Sequence, residues 1–553
     1  MTFPINARSW NTWRGVAVGA VLCLTLLLAS VPYLHGYWGR PAGTLFWAVP
    51  PVNSSDANQY LAFTRAVSEG AFLVGDPFTA EPHPPRLLMP QVLLQGWVCR
   101  LFGWSPLAAF QVSRVVSGGA LLLSGWWFGT LFLRSWRQRW LYLGLLCFSA
   151  GAGWFVERAG WDLPHGDLIQ PEGNTFFTLG NLPHLALSAT LMTALFGTLR
   201  AVEIEKSSST RRIGGWLIGT LALSMLLSWT HPFDYLTLGL GLGSYVLVCW
   251  ASRRELPAAS LLHGVALVAG ALPAGLYLLW VTRTDLVYAA LTSDSLSVNS
   301  FAFYAIAHAP LALPALVVLV RPELRARYAL PLCWVLCVFL FLLTPWRMGG
   351  KQPRLVGGVH VPLALLATAG IGYLGQQFAR LVRPGAGRRF LRAAVAGTFF
   401  LLAATGAWAM LERHSEYYTQ AQRNPRRRPA VYMRTDVQGL FEHLASEGDA
   451  TQLTLGGGYT GGWAPVLADA RVFHGHWHMT LNEPAKRAEV VWFFLQPDDP
   501  VRKAAWLRDR GVTWVIRYPW EWDNNAVPLD QVPGLYPAYI TPEIQLYRFQ
   551  PGR

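Results

Sequence analysis

Long runs of apolar residues recur along this chain and are separated by short polar connections. A run of about 18 to 25 mainly apolar residues is long enough to cross a bilayer as an α-helix. The run from Val16 to Val31 exceeds the apolar part of a signal peptide, so we expect it to be retained as the first membrane helix. About eleven spans are predicted, at residues 14–34, 106–133, 140–157, 176–199, 213–230, 233–251, 259–281, 301–320, 328–345, 355–378 and 390–411. The pattern therefore predicts an all-α polytopic membrane bundle in residues 1–411.

The pattern changes after residue 411. Strand-like runs at 452–455, 471–473 and 512–516 alternate with helical patterns at 486–495 and 500–509. Such alternation is typical of an α/β domain, and a segment of this length can form a core of its own. We therefore expect residues 412–553 to form a soluble α/β domain.

Composition and charge narrow the class of protein. Of 553 residues, 52% are hydrophobic and only 14% are charged, which is more apolar surface than one soluble core can bury. The formal net charge of +14 could indicate a nucleic-acid partner, but Lys and Arg cluster in alternate loops on the side of the N-terminus. By the positive-inside rule that side is cytoplasmic. We therefore expect no nucleic-acid partner, and an inner-membrane protein with a cytoplasmic N-terminus and a periplasmic C-terminal domain.

The longest predicted outer loop, about residues 35–105, carries the densest polar chemistry. An acid, two carboxamides and a phenol fall within five residues: Asp56, Asn58, Gln59 and Tyr60. Apolar spacing over 57–69 and 90–102 predicts two short helices at the membrane interface. Between them, Glu81 and His83 lie in a proline-rich, irregular stretch. A carboxylate at the membrane surface can accept the proton of an attacking hydroxyl.

Other polar residues stand where spans begin or end. Glu172 lies in the second outer loop, His184 just inside span four, and His231 after span five, shortly before Asp234. Polar groups at membrane depth are tolerated where protein or a wet cavity surrounds them. The outer loop between spans nine and ten breaks the positive-inside rule with three cations: Arg347, Lys351 and Arg354. An anionic phosphate would be a suitable partner for these cations.

Five motifs carry a resemblance to a known family: Asp56-Ala-Asn58-Gln59-Tyr60, Pro171-Glu172 through Pro183-His184, His231-Pro232, Arg354-Leu-Val-Gly-Gly-Val-His360-Val-Pro362 and Gly475-His476-Trp477. Together with the long first outer loop and the exterior C-terminal domain, they resemble the GT-C superfamily of integral-membrane glycosyltransferases. Members include the protein O-mannosyltransferases and the aminoarabinose transferase that acts on lipid A. The resemblance covers nearly the whole chain. It implies transfer of a sugar from a polyprenyl-phosphate donor to a hydroxyl of a lipid, glycan or protein acceptor at the outer membrane face.

The resemblance also implies roles for individual residues. Asp56 would be the catalytic base or would orient a divalent cation, Mg²⁺ or Mn²⁺. The neighbouring groups that would contact substrate are Asn58, Gln59 and Tyr60. The cations that would stabilise the leaving phosphate are Arg347, Lys351, Arg354 and, inside span two, Arg114. Four further polar residues are open to two interpretations, a wall on the acceptor side or a structural role at a loop or helix end: Glu172, His184, His231 and Asp234.

Several of these residues have a second interpretation. Asp56 could cap a helix beginning at Ala57, and the three loop cations could anchor lipid headgroups. Arg114 could pair with an acid of the first loop. Glu81 and His83 could contact substrate or join Asp56 as metal ligands. The chain has Asp56-Ala-Asn58 at the position where the superfamily carries an acidic pair.

Two glycine- or histidine-rich stretches of the C-terminal region are also open to interpretation. The stretch 456–462 lacks the lysine of a phosphate-binding loop and predicts a flexible turn. The alternating His474, His476 and His478 have no cysteine beside them, which favours a polar loop over a zinc site. At the level of the whole chain, the alternatives to an enzyme are a transporter or flippase of lipid-linked sugars and a non-catalytic envelope assembly protein.

Overall fold

The structure, a computed structural model, describes residues 12–205, 210–254, 257–293, 299–344, 349–425, 428–449, 451–522 and 525–551. Its helices are α1 (Thr12–Trp38), α2 (Ser54–Ser68), α3 (Pro90–Phe102), α4 (Pro106–Thr130), α5 (Trp136–Phe148), α6 (Gly153–Arg158), α7 (Thr175–Leu179), α8 (Pro183–Glu205), α9 (Thr210–Thr230), α10 (Asp234–Arg253), α11 (Ala258–Thr284), α12 (Leu286–Ser293), α13 (Phe301–Val320), α14 (Pro322–Arg327), α15 (Ala329–Leu343), α16 (His360–Arg380), α17 (Ala386–Arg423), α18 (Thr435–Glu447), α19 (Gly458–Ala468), α20 (Glu483–Leu495) and α21 (Pro500–Arg510). Its strands are β1 (Thr44–Phe46), β2 (Tyr432–Arg434), β3 (Leu453–Leu455), β4 (Arg471–Val472), β5 (Val512–Arg517), β6 (Leu535–Ile540) and β7 (Gln545–Phe549). Short 3-10 helices include Pro171–Gly173 and Gly349–Val356.

Within the described residues, eight helices are long and apolar enough to cross a membrane: α1, α4, α8, α9, α10, α11, α13 and α17. This confirms the prediction of a polytopic helical membrane protein. The eight do not include α5, α15 and α16, which overlap the predicted spans 140–157, 328–345 and 355–378. With 13 and 15 residues, α5 and α15 are shorter than the ~20 residues that a perpendicular crossing needs. By length and composition, therefore, fewer helices qualify as spans than the eleven predicted.

The first of two compact units comprises Met1–Val31, Ser113–Leu279 and Ser295–Arg413. Aromatic and aliphatic side chains fill its core. Trp334 of α15 stacks on Phe196 of α8 with ring centroids 4.2 Å apart. A side chain on Gly370 of α16 would collide with the carbonyl of Pro314 in α13. The lack of a side chain there therefore allows these two helices to approach closely.

The surface of this unit includes apolar stripes that water would disfavour. On α11, Val265, Val268, Leu272 and Leu276 are each more than half exposed. Their spacing of three and four residues places them on one helix face. A contiguous exposed apolar face is unusual for a protein surrounded by water and is expected where a helix faces lipid.

The second compact unit comprises Pro32–Val112, Trp280–Asp294 and His414–Arg553. The segment that we predict as the first outer loop thus folds with the segment that we predict as the C-terminal domain. Strands β1 and β2 join the two directly, because they pair antiparallel with Thr44 opposite Arg434 and Phe46 opposite Tyr432. The unit also includes the end of α11 and helix α12.

A five-stranded sheet forms the C-terminal part of this unit, in the order β4-β3-β5-β7-β6. Strands β4, β3 and β5 are parallel, whereas β7 pairs antiparallel with both β5 and β6. The sheet shares a buried apolar core with α20 and α21, which includes Val515, Phe493 and Leu507. The predicted α/β character of the C-terminal segment is confirmed; β6 and β7 are strands that we did not predict.

Two local boundaries differ from the prediction and affect the site. Helix α2 begins at Ser54, three residues before the predicted start at 57. The glycine-rich stretch 456–462 is not a turn throughout, because α19 begins at Gly458. By contrast, the helix predicted at 90–102 is α3.

Candidate functional site

Asp56 is the third residue of α2 and is not its N-cap. The N-cap position belongs to Asn53, whose side chain makes no capping hydrogen bond. The capping role considered for Asp56 is therefore wrong in its detail, although a carboxylate in the first turn still interacts favourably with the helix dipole. The Asp56 side chain is partly exposed.

Two aromatic rings hold the Asp56 carboxylate, and both come from the segment after β4. Trp477 donates its Nε1–H to Asp56 Oδ1 over 2.8 Å. The Nε2 atom of His476 lies 3.3 Å from the same oxygen. The backbone N–H groups of His478 and Met479 both donate to His476 Nδ1, at 3.0 Å each. Because Nδ1 is an acceptor, a neutral His476 ring carries its proton on Nε2. This nitrogen lies near Asp56 but makes no hydrogen bond to it.

A close backbone contact positions this segment. Any side chain on Gly461 of α19 would collide with the His474 carbonyl, and any side chain on Gly475 would collide with the Gly461 carbonyl. We call residues 474–480 the histidine segment. The two glycines allow the backbone of α19 to contact the backbone of this segment. On the same helix, a Cβ at Gly462 would lie 3.3 Å from Asn58 Nδ2 of α2. Helix α19 thus packs both against α2, which carries Asp56, and against the histidine segment, which carries His476 and Trp477.

The N-terminus of α19 is itself anchored. Glu521 accepts hydrogen bonds from the backbone N–H of Thr460, at 2.6 Å, and from its hydroxyl, at 2.9 Å. A side chain on Gly457 would collide with this carboxylate. Burial raises the pKa of Glu521 to about 7, against these hydrogen bonds, which lower it. The glycines of this stretch therefore serve close packing around a buried acid.

Residues 76–81 of the first loop hold the other side of the histidine segment. The hydroxyl of Thr480 donates to the Phe78 carbonyl at 2.8 Å and accepts the backbone N–H groups of Gly475 and His476. The backbone N–H of Val472 donates to the Pro77 carbonyl at 2.9 Å. Hydrogen bonds thus connect the first loop to the histidine segment beside Asp56, although the two are about 400 residues apart in sequence.

Asn58, Gln59 and Tyr60 follow Asp56 on α2, and the structure gives them different environments. Asn58 is buried and accepts the Trp47 indole N–H at 2.8 Å. Gln59 and Tyr60 are partly exposed. The Asn58 contact fixes helix packing, so a substrate role is better supported for Gln59 and Tyr60, which remain predictions.

Glu81 and His83 are engaged with protein partners. Glu81 accepts hydrogen bonds from Lys486 Nζ, at 2.7 Å, and from the Thr79 hydroxyl. Burial opposes ionisation of Glu81, but Lys486 outweighs this and lowers its pKa. His83 accepts the Asp76 backbone N–H at Nε2 and contacts the Glu81 carbonyl through Nδ1. Both residues therefore stabilise the 76–83 segment.

A divalent cation at Asp56 stays a prediction. Asp56 and His476 would offer one oxygen and one nitrogen donor, and Mg²⁺ commonly completes its coordination with water and substrate phosphate. In the parts of the chain that the structure describes, no group of three His, Cys, Asp or Glu side chains could hold a metal ion. The predicted combination of Asp56 with Glu81 and His83 as ligands is therefore wrong.

A second polar cluster lies in the first unit, around the connection between α9 and α10. His231 Nδ1 lies 3.0 Å from Asp234 Oδ2, and Ser188 of α8 donates to the same oxygen. The ring of His184 is 6.1 Å from that of His231. Burial favours neutral His231, but the Asp234 carboxylate outweighs burial and raises the His231 pKa. Three residues of the predicted acceptor-side wall thus converge.

The remaining two predicted residues of this region act on the same histidine. The charge of Arg354, in the 3-10 helix Gly349–Val356, lowers the His231 pKa, and the charge of Glu172 raises it. Gln170 donates to the Pro353 carbonyl at 2.6 Å and ties the two loops together. Arg347 and the side chain of Lys351 lie outside the described residues, so their roles stay predictions.

Arg114 of α4 is buried and makes contacts that join helices. It donates to the Leu179 carbonyl at 2.9 Å, at the end of α7, and to the Ser30 hydroxyl of α1 at 3.1 Å. A guanidinium that satisfies a helix C-terminus is stabilising. These contacts favour a structural role for Arg114 over phosphate binding.

No family model and no curated protein matches the chain. Solved structures match it over most of its length. ArnT from Cupriavidus metallidurans, bound to undecaprenyl phosphate, is 13% identical, covers 96% of this chain and 98% of its own, and has a TM-score of 0.53. Oligosaccharyltransferase AglB from Archaeoglobus fulgidus, in complex with an inhibitory peptide and a dolichol-phosphate, is 11% identical, covers 89% and 69%, and has a TM-score of 0.53. Both are GT-C glycosyltransferases.

This chain has the GT-C fold. A third GT-C structure, the arabinofuranosyltransferase AftD from Mycobacteria, is 13% identical with a TM-score of 0.51, and the match covers 95% of this chain but 40% of AftD. AglB has also been crystallised with zinc and sulfate. The GT-C resemblance predicted from the motifs is therefore confirmed at the level of the fold.

The buried Asp76 beside the histidine segment yields a test of the second unit. Its Oδ2 has no hydrogen-bond partner among the described residues, and burial raises its pKa to about 8 although Lys486 opposes this. Since the pKa of an unfolded Asp is about 3.9, the acid's contribution to stability is complete below about pH 4 and is lost as pH rises through about 8.

We therefore expect Asp76 to lower the unfolding temperature of the wild type as pH rises from about 4 to about 8, and Asp76→Asn to reduce that fall. Asn is neutral throughout and keeps the shape of the protonated acid. Thermal unfolding in detergent, measured across this range, tests the expectation. Asp509→Asn, at an exposed position of α21, should leave the slope unchanged. Equal slopes for Asp76→Asn and the wild type would contradict the assignment.

Proposed function

We propose that this chain is a membrane glycosyltransferase that moves a sugar from a polyprenyl-phosphate donor to an acceptor hydroxyl, with Asp56 as the base. The observation that carries the proposal is the fixed carboxylate: Asp56 stands in the first turn of α2, partly exposed, with the Trp477 and His476 rings directed at one oxygen. An N–H donor such as that of Trp477 stabilises the ionised form of a carboxylate. A carboxylate in this form can accept a proton.

The reaction that we propose is a single displacement at the anomeric carbon. The acceptor oxygen forms a bond to that carbon while its proton passes to Asp56, and the bond to the phosphate oxygen breaks with its electron pair. The products are the glycosylated acceptor and the polyprenyl phosphate. One displacement without a covalent intermediate inverts the anomeric configuration.

We propose that Arg354, with Lys351 and Arg347 of the same connection, neutralises the leaving phosphate. Fixed cations stabilise charge that develops in the transition state. The His231–Asp234 pair supports this proposal, because Asp234 raises the His231 pKa and so favours a second positive charge that interacts with Arg354. ArnT and AglB, which share the fold, have been solved with undecaprenyl phosphate and a dolichol-phosphate respectively.

Asp56→Asn tests the proposed base. Asn keeps the size and an oxygen for the Trp477 N–H, but it is a far weaker proton acceptor. We expect the rate of transfer from labelled hexosyl or pentosyl undecaprenyl phosphates to fall by about 10²- to 10⁴-fold, with unchanged thermal stability. Glu69→Gln is the matched control, because it removes an exposed carboxylate just after the same helix.

Undiminished transfer by Asp56→Asn would contradict the proposal. Translocation of the labelled lipid across the bilayer without transfer would instead identify a flippase. Lack of both activities in the wild type, with every labelled lipid, would favour an assembly protein. Thermal unfolding of each variant separates loss of chemistry from loss of fold.

The proposed site requires that the second unit face the exterior. In a background without the six native cysteines, Glu69→Cys and Glu447→Cys, at exposed positions, should both react with a membrane-impermeant maleimide added outside cells. Arg383→Cys, in the connection between α16 and α17, should react only after permeabilisation, because the positive-inside rule places this Arg-rich loop in the cytoplasm. Labelling of only one of the two exterior positions would contradict the predicted topology.

A further inference from the structure

Trp477 is an exposed aromatic residue whose orientation is fixed. Its side chain is 43% exposed, although its Nε1–H is bonded to Asp56 over 2.8 Å. The His476 ring lies nearly parallel to it with centroids 6.0 Å apart, and the His478 ring lies at 5.2 Å. The indole is therefore held on its polar edge and by two neighbouring rings while much of its surface stays open.

Neither of the ordinary reasons for a surface tryptophan accounts for this arrangement. A core tryptophan is covered, as Trp463 of α19 is at 1% exposure. A tryptophan of a membrane-interface belt directs its N–H toward headgroups and water, whereas the Trp477 N–H is turned to a protein carboxylate. An aromatic surface held open beside a polar group is a feature of small-molecule sites, which combine aromatic side chains with a few placed polar groups.

The chemistry of the position points to a sugar ring. One face of a pyranose or furanose presents mainly C–H groups, and an aromatic face is a matching apolar surface for them. Its hydroxyl groups, at the ring edge, need acceptors and donors close by. Asp56 provides carboxylate oxygens at the edge of this same indole.

We propose that a sugar ring stacks on the open surface of Trp477. In this position Asp56 contacts a hydroxyl group of that sugar or of the second substrate. The inference rests on the proposed function and deepens it, because it names the recognition element for the carbohydrate. The ring belongs to the lipid-linked donor or to a glycan acceptor, and the stacking chemistry is the same for both. Trp477 thus determines affinity for carbohydrate, and Asp56 carries the proton.

The test measures binding, so that it does not depend on turnover. Full-length protein in nanodiscs is titrated with undecaprenyl phosphate and with its glucosyl, mannosyl, N-acetylglucosaminyl and arabinosyl derivatives, and separately with the free methyl glycosides. The quantity of interest is the gain in affinity that the sugar adds to the bare lipid, or the affinity for the free glycoside.

We expect Trp477→Ala to reduce the sugar's contribution by roughly five- to tenfold, as loss of an aromatic contact does, with binding of bare undecaprenyl phosphate unchanged. Trp477→Phe should retain more of that contribution than Trp477→Ala, because it keeps an aromatic face although it loses the N–H to Asp56 and the larger indole surface. The matched control is Trp161→Ala, since Trp161 is an exposed loop tryptophan that would share any general anchoring effect. A loss confined to the lipid-linked sugars places the donor ring on Trp477, and a loss confined to the free glycosides places the acceptor ring there.

Three outcomes would overturn the inference: a full sugar contribution in Trp477→Ala, an equal loss of bare and glycosylated lipid, or a wild type that gains no affinity from any sugar in either arm. Failure of the proposed function has a different signature. In that case Asp56→Asn transfers sugar at the wild-type rate, and the binding measurements on Trp477 variants are unaffected.

Discussion

The backbone contact between Gly461 and Gly475 is the constraint on which the candidate site depends. Substitution at either glycine would force α19 and the histidine segment apart. Because α19 also packs against α2, this contact sets how close His476 and Trp477 come to Asp56. The carboxylate is therefore positioned by helix packing, and the buried Glu521 at the start of α19 fixes the helix that mediates it. Precision at a catalytic group commonly derives from such rigid support.

The sequence predicts the membrane bundle well, because hydrophobic length is a local signal. Fewer of the described helices qualify as spans than predicted, partly because α5 and α15 are short. Strand β1 could not be anticipated, because its three residues pair with β2 almost 400 positions later. The start of α19 was missed because glycine, a poor helix former, is used here for close packing.

Some features of the candidate site can be predicted from the sequence, whereas others depend on contacts that only the tertiary fold creates. Asp56, His231 and Asp234 stand out in sequence because polar groups at span ends are unusual, and the structure places His231 beside Asp234. Motif recognition singled out His476 and Trp477, but nothing in sequence indicates that they contact Asp56. Residue type alone suggests Glu81 and His83 as ligands. It does not reveal that Glu81 accepts a hydrogen bond from Lys486 and that His83 accepts one from the Asp76 backbone. Partners of this kind are properties of the tertiary fold.

The most direct test of this account is the transfer rate of Gly461→Ala, measured with labelled undecaprenyl-phosphate sugars beside Gly458→Ala, whose added methyl group meets nothing within 4 Å. The account predicts that Gly461→Ala, in protein that remains folded by thermal unfolding, loses at least about tenfold in rate, since misplacing a reacting group by ~1 Å can cost more than that. Gly458→Ala should keep the wild-type rate. A Gly461→Ala protein that transfers sugar as fast as the wild type would contradict the claim that this glycine contact holds Asp56 in its working position.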